Sequence, residues 1–351
     1  LLLAAQVLRT DNEALEAARD LAASAREHAG KRDQQRKLPW SLIEAFTRSG
    51  LGSISIAREF GGPQVSFVTL AEVFAIISAA DPALGQIPQN QVGILSLIAA
   101  TATQAQKEQL FSSVLQGWRI GNAGPERGSK NTLDIKARII ADGDDFAING
   151  QKFYSTGALF AHWIAVKAVN DEGRQVMAFV RRGTPGLRVV DDWSGFGQRT
   201  TASGTVLLNN VRVEAEQVVD SSRLNDAPNI QGAVSQLIQA AIDLGIARGA
   251  IADTLSFVRE RSRPWIDAKV ERNSDDPYVI ADIGKLHIEL HAAEALLRKA
   301  GRVLDEVSAA AIDAPGAARA SIAVAEAKVL STELSLLASE KLFELAGSRA
   351  S

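Results

Sequence analysis

Three stretches decide the fold of this chain: Arg119-Ile-Gly-Asn-Ala-Gly-Pro-Glu-Arg-Gly-Ser129, Gly150-Gln-Lys-Phe-Tyr-Ser-Thr-Gly-Ala158 and Trp193-Ser-Gly-Phe-Gly-Gln-Arg-Thr-Thr-Ala-Ser-Gly204. The segments between and beside them, Ile135–Ile140, Phe146–Ile148, Trp163–Val169, Gln175–Val180, Leu187–Val190 and Thr205–Leu208, alternate apolar and polar residues. That period of two predicts strands. Asp142-Gly143-Asp144 and Asn149-Gly150 supply the residues that tight reversals favour. A late strand is expected over Asn209–Val213. Outside this block the chain is alanine-rich with helical periodicity, so a small β-domain is expected between two helical ones.

A chain of 351 residues exceeds one ordinary core, and two or three domains are expected. Hydrophobic residues make up 46% and charged residues 23%, as in a soluble globular protein. The net charge of −3 argues against a nucleic-acid groove, which needs clustered Lys and Arg. Cysteine is absent, which excludes disulfides and thiolate chemistry and suits a reducing, cytoplasmic setting. No apolar run reaches the ~20 residues needed to span a bilayer. The chain begins without Met and ends straight after a helix-like run, so further residues are expected at both ends.

Residues 1–117 read as an N-terminal helical domain. Helices are expected over Glu13–His28, Trp40–Arg48, Phe67–Ala79, Gln91–Ala102 and Gln104–Gln116. The β-domain is assigned to 118–222, and the polar stretch Asp220–Pro228 is expected to link it to the next unit. Residues 223–351 hold three long periodic segments, Gln231–Arg261, Tyr278–Val307 and Gly316–Leu345, each ~45 Å if helical. They predict an antiparallel bundle with one open apolar face, to be covered by a fourth helix or a partner subunit.

Conventional site motifs mostly fail. Gly195-Phe-Gly197 lacks a third glycine and a following helix, so it is no dinucleotide fingerprint. No phosphate-binding loop or nucleophile elbow occurs. His287 and His291 have metal-ligand spacing, but the intervening glutamate stands at the wrong position, and no metal site is assigned. More informative is Asn122–Ser129, where Gly121, Gly124 and Gly128 around Pro125 suit a bent crossover whose amides face a flavin edge or a phosphate. Tyr154 and Thr156 lie two residues apart on an extended segment, an aromatic wall beside a hydroxyl. Each pattern alone is equally compatible with ordinary structure.

Their order and spacing resemble the acyl-CoA dehydrogenase superfamily over essentially the whole chain. Gly121–Ser129 resembles its Ala-x-Thr-Glu-Pro-x-Ala-Gly-Ser segment, with Pro125, Gly128 and Ser129 in register. Lys152-Phe-Tyr-Ser-Thr-Gly157 resembles Lys-x-Trp-Ile-Thr-Asn, and Gly197–Val206 resembles the strand that follows. Phe153–Ala158, Gly197–Gly204, Arg261-Ser-Arg-Pro-Trp265 and Asp276–Ile280 are closer to the reduced-flavin-dependent monooxygenases of the dibenzothiophene and sulfone type. The resemblance implies a mainly α fold: N-terminal helices, a central β-barrel and a C-terminal four-helix bundle. It also implies a homotetramer.

Carried over position by position, the resemblance places Asn122 and Ala123 against the flavin ring and Ser129 near its tail. Thr156 would bond near N5, and Tyr154 would pack on the ring. Arg261 and Arg263 would meet the phosphate, within the chain or across a subunit interface, where a planar donor fork suits that group. Gly347, in Ala346-Gly-Ser-Arg349, would belong to a loop closing over the cofactor. Asn122, Gln91 and Thr156 are the expected catalytic residues. Gln91 stands where the sulfur-oxidising branch has histidine; an amide can hydrogen-bond an oxygenated flavin but cannot shuttle a proton at neutral pH. The dehydrogenases' glutamate base has no counterpart before Asp243 on the helix around Gln236–Gly245, and the other positions that separate the two chemistries are expected beyond Ser351.

The resulting expectation is a monooxygenase that takes reduced FMN from a flavin reductase and uses O₂ to oxygenate a small organosulfur compound. The apolar helix Gln91–Ala102 and the inner face of the bundle would keep the site dry. Two alternatives stay open: an acyl-CoA dehydrogenase using FAD, and a non-catalytic member of the family.

Overall fold

The computed structural model describes residues 5–131 and 134–347. Seven helices come first: α1 (Asp11–Arg26), α2 (Ala29–Gln34), α3 (Trp40–Arg48), α4 (Phe67–Ala80), α5 (Pro82–Gln86), α6 (Gln89–Thr101) and α7 (Gln104–Leu115). Local chemistry sets their starts. The Thr10 hydroxyl accepts from Glu13 N at α1, and Ser66 Oγ accepts from Thr69 N at α4. Thr103 and Gln106 form a reciprocal capping box at α7.

The strands follow: β1 (Ile120–Ala123), β2 (Arg138–Asp142), β3 (Asp145–Lys152), β4 (Trp163–Val169), β5 (Gln175–Arg181), β6 (Leu187–Val189), β7 (Val206–Val213) and β8 (Val218–Val219). They form one sheet in the order β6-β7-β3-β2-β4-β5-β8, with β1 parallel to β4. The expected barrel is not formed. The two ends of the sheet are strands of three and two residues, β6 and β8, paired only to β7 and β5. Such short edges cannot supply the continuous ladder that closure needs. The sheet instead curls over a core of its own, built from residues such as Ile139, Ile148, Ile164, Val166, Ala178 and Val211. Its other face, with Trp163, Ala165, Met177 and Phe179, packs on Ile94, Ile98 and Phe111 of α6 and α7.

The bent crossover expected over Asn122–Ser129 is irregular from Gly124 on, but its first two residues belong to strand β1. Its pairing partner lies about forty residues further on, with Asn122 opposite Ala165. A side chain at Gly121 would come within 2.5 Å of Ala158 Cα, so glycine there permits close approach of two backbones.

The C-terminal part contributes three long helices, α8 (Gln231–Glu260), α9 (Pro277–Ser308) and α10 (Ala314–Ala346). The fourth helix of the bundle comes from the N-terminal region: α4 lies against α8 and α9. Added Cβ atoms at Gly245 and Gly249 would meet the carbonyl oxygens of Ala75 and Ala79 at 2.6 and 2.8 Å, and one at Gly301 would meet Val68 Cα at 2.8 Å. Small residues therefore set the helix spacing. One continuous core runs from Ala14 and Phe74 through Leu237 and Leu297 to Leu334. The expected linker Asp220–Pro228 holds a single turn, Ser221–Asn225. Among the described residues no helix is long and apolar enough to cross a membrane.

Candidate cofactor groove

The strand β1 and the segment after β3 run side by side. Asn122 N donates to Thr156 O at 3.1 Å and Phe153 N donates to Pro125 O at 2.9 Å. Asn122 thus sits beside Tyr154, towards whose carbonyl its Nδ2 points at 3.5 Å, while its Oδ1 accepts from Gly124 N at 3.1 Å. Between these segments, the loop up to Asp134 and helix α6 lies a groove of ≈ 450 Å³, lined by residues including Asn90, Asn122, Ser129, Tyr154 and Lys167. Cofactor sites commonly enclose about 300–1,000 Å³.

A buried ion pair braces the groove from beneath. Lys152 Nζ, fully buried, donates to Glu126 at 2.6 Å and to Gly124 O at 3.2 Å. Glu126 also accepts from Lys136 N and Ala137 N at 2.8 and 3.0 Å. Burial by itself would raise the Glu126 carboxyl, but these bonds outweigh it and hold it below the usual range. Burial lowers the Lys152 ammonium, against the pull of Glu126. Both shifts are downward, which favours the charged form of Glu126, with its three donors, and opposes that of Lys152, which is shut away from water. The pair is charged, with Glu126 the firmly ionised member.

Tyr154 holds a left-handed backbone, φ 55°, and stands half out of the protein against Phe153 and Trp193. A bulky residue there is strained, a condition that concentrates at functional sites. Thr156 is buried, and its Oγ1 lies 2.7 Å from Ser203 Oγ. Ser203 donates to Thr201 Oγ1, and Thr201 donates to Gln198 O. Each hydroxyl has one hydrogen, so Thr156 must donate to Ser203 and keeps only lone pairs for a ligand. Ser203 and Thr201 lie in the quoted Gly197–Gly204 stretch, but their link to Thr156 depends on tertiary contact. Ser129 Oγ donates to Glu126 O at 3.2 Å on the groove wall. Ala123 turns its methyl group into the sheet core.

Gln91 does not line the groove. Its Nε2 donates to Gly52 O at 2.7 Å and its Oε1 accepts from Ile120 N at 2.8 Å, so both ends of the amide tie α6 to β1 and a turn. Asn90, about 100° round the helix, faces the groove instead. Another face of α6, with Val92, Leu95 and Ser96, borders a second, mainly apolar cavity of ≈ 330 Å³. His162 lies outside both cavities. Burial, with Arg119 and Arg182 adding to it, lowers its pKa to about 4, and its Nδ1 accepts from Arg119 N. It is therefore neutral at physiological pH.

Arg261, Arg263 and Gly347 are not brought to this groove. Helix α8 meets α6 at Ser235, whose carbonyl accepts from Gln89 Nε2 at 3.4 Å. Arg261 lies 26 residues further along, about 39 Å at 1.5 Å per residue. Arg261 and Gly347 share one end of the bundle, where Ser262 Oγ donates to Leu345 O. Ser348 and Arg349 lie outside the described residues.

Residues 9–117, 121–211 and 237–351 match, in turn, the N-terminal, middle and C-terminal domains of acyl-CoA dehydrogenases. The dibenzothiophene monooxygenase of Rhodococcus erythropolis is 30% identical to this chain, over 97% of this chain and 85% of the relative. The chain belongs to the acyl-CoA dehydrogenase family. A probable FMNH2-dependent monooxygenase of Pseudomonas putida, SfnC, is 28% identical to this family member over 96% of the chain and 86% of its own length. FMN-bound TdsC from Paenibacillus sp. A11-2 superposes with a TM-score of 0.91 at 30% identity, covering 96% of this chain and 88% of that one.

Proposed function

We propose that this protein is an FMN-dependent monooxygenase acting on organosulfur compounds. The observation that carries the reading is the main-chain bond from Asn122 to Thr156, which sets the two quoted stretches edge to edge as walls of one groove. Within it Tyr154 would pack on the flavin ring, Asn122 and the backbone at Ala123 would flank it, and Ser129 would lie towards its tail. The reduced ring carries an N5–H that the oxidised ring lacks, and Thr156, buried next to the Asn122 backbone and left with lone pairs alone, would be an acceptor for it. Bound reduced FMN supplies two electrons to O₂; one oxygen atom goes to the substrate sulfur and the other leaves as water. The protein's part is to orient the ring and exclude water. Gln91 acts at one remove, by holding α6 on β1.

Neither carboxylate on the groove wall is well placed as a dehydrogenase base. Glu126 is committed to Lys152 and two amides, and Asp134 accepts from Lys130 N. Asp243 on α8 is held by Lys328 at 3.0 Å and Thr332 at 2.6 Å.

Supplied with chemically or enzymatically reduced FMN, O₂ and dibenzothiophene, the protein is expected to form sulfoxide or sulfone. Flavin oxidation that releases only hydrogen peroxide across a panel of sulfides, sulfones and sulfinates would sink the proposal. A flavin reductase is the partner that such a cycle requires, and a cytoplasmic setting supplies its nicotinamide.

The units 1–117, 118–222 and 223–351 are proposed to assemble as a homotetramer. The outer face of α10 exposes Ile322, Val329, Leu336 and Phe343 at seven-residue intervals. This stripe suits a second copy of the chain. The end of the bundle bearing Arg261, Arg263 and Gly347 would then serve a neighbour's groove, reaching the FMN phosphate there. A monomeric mass by light scattering would remove this part.

A further inference from the structure

Lys167 lines the groove. It lies on β4 two residues beyond Ala165, the residue opposite Asn122, and shares that strand face. Its cross-strand neighbour Met177 is buried, as are Ala165, Val166 and Ala168 around it on β4. Burial lowers its pKa. Among the described residues it has no hydrogen-bond or ion-pair partner. The carboxylates on the same groove wall are taken up elsewhere: Glu126 by Lys152 and two amides, Asp134 by Lys130 N. The buried ammonium of Lys152 is close enough to repel that of Lys167. An ammonium half withdrawn from water with no counter-charge is unfavourable in the free protein and becomes favourable once an anion fills the groove.

We infer that Lys167 is the groove's partner for an anionic group of the bound flavin, and so a direct cofactor-binding residue. This rests on the groove being the flavin site. Two parts of FMN share the required chemistry. The phosphate is an anion in both redox states, and the ring becomes one over N1 and the C2 carbonyl only on reduction.

The test is anaerobic titration of wild type, K167Q and K167R with oxidised and reduced FMN and with riboflavin, together with the midpoint potential of bound flavin. K167Q is expected to bind reduced FMN about tenfold more weakly, the scale of a lost charged hydrogen bond, while K167R stays close to wild type. If the loss is confined to the reduced state and persists with riboflavin, the ring is the partner, and the two-electron potential falls by about 30 mV per tenfold. If it is equal in both states and absent with riboflavin, the phosphate is the partner. Unchanged binding of both flavins in both states by K167Q would overturn the inference while leaving the flavin site standing. A wild-type protein that binds no flavin would remove both. Thermal melts of the ligand-free variants separate lost binding from lost folding.

Discussion

The bundle and the groove treat buried charge in opposite ways. In the bundle, Arg248 is shared between Glu72 and Glu294 at 2.7 and 2.8 Å, and Asp243 meets Lys328, Thr332 and Gln239. Glycines there let helices touch. In the groove, Lys167 has no counter-charge among the described residues and Tyr154 holds a left-handed backbone, whereas unpartnered buried hydroxyls occur in both regions, Ser78 and Ser331 in the bundle and Ser155 next to Tyr154. The Lys152–Glu126 pair joins a carboxylate of the wall to a fully buried lysine behind it and fixes the wall's shape. The difference that bears on function is one of charge: charges are paired where the chain only has to hold together, and one is left for a ligand to pair in the groove.

Lys152→Met should give the largest effect, because it leaves Glu126 charged and buried. Removing one member of such a pair costs about 3–5 kcal/mol. Urea unfolding should show that loss, and any protein that still folds should bind FMN weakly, since the Gly124–Glu126 backbone loses its brace. Wild-type stability would mean that the pair holds nothing. A change confined to the bundle should act differently. In Gly245→Ala the new methyl group meets the Ala75 carbonyl, a misfit expected to cost about 1–3 kcal/mol with FMN affinity of the folded fraction unchanged. A parallel drop in affinity would show that the two regions are coupled.

Tyr154→Gly should have the smallest and opposite effect on stability. Left-handed backbone costs a non-glycine residue about 1–2 kcal/mol, so removing the side chain should leave the melting temperature level or slightly raised while flavin binding weakens. A clear loss of stability with intact binding would make Tyr154 a packing residue and remove the contrast.

Much of the fold was legible because it is local. The helices at Trp40–Arg48 and Gln231–Glu260 and the strand at Trp163–Val169 fall within a residue of their expected limits. The boundaries of such elements are written in periodicity, caps and glycines. Asn122, Ser129 and Tyr154 line one groove, and Thr156 is bonded to the Asn122 backbone without lining it. That Asn90 rather than Gln91 lines the groove was not legible, because α6 is apolar nearly all round, and such a helix carries no phase that says which face meets the sheet. Lys167 gave no signal at all: a lysine in an alternating strand reads as an outward-facing residue until the opposite surface is known.

The order of helices and strands, the absence of thiol chemistry and the stretches that form the groove were settled by the amino-acid sequence, because each depends on residues close together in the chain. Tertiary structure alone decided that the sheet stays open, that α4 completes the bundle, that Gln91 is a brace, and that Arg261 lies far from the groove of its own chain. Those outcomes depend on contacts between residues scores of positions apart, where the free energy of packing rather than local preference makes the choice.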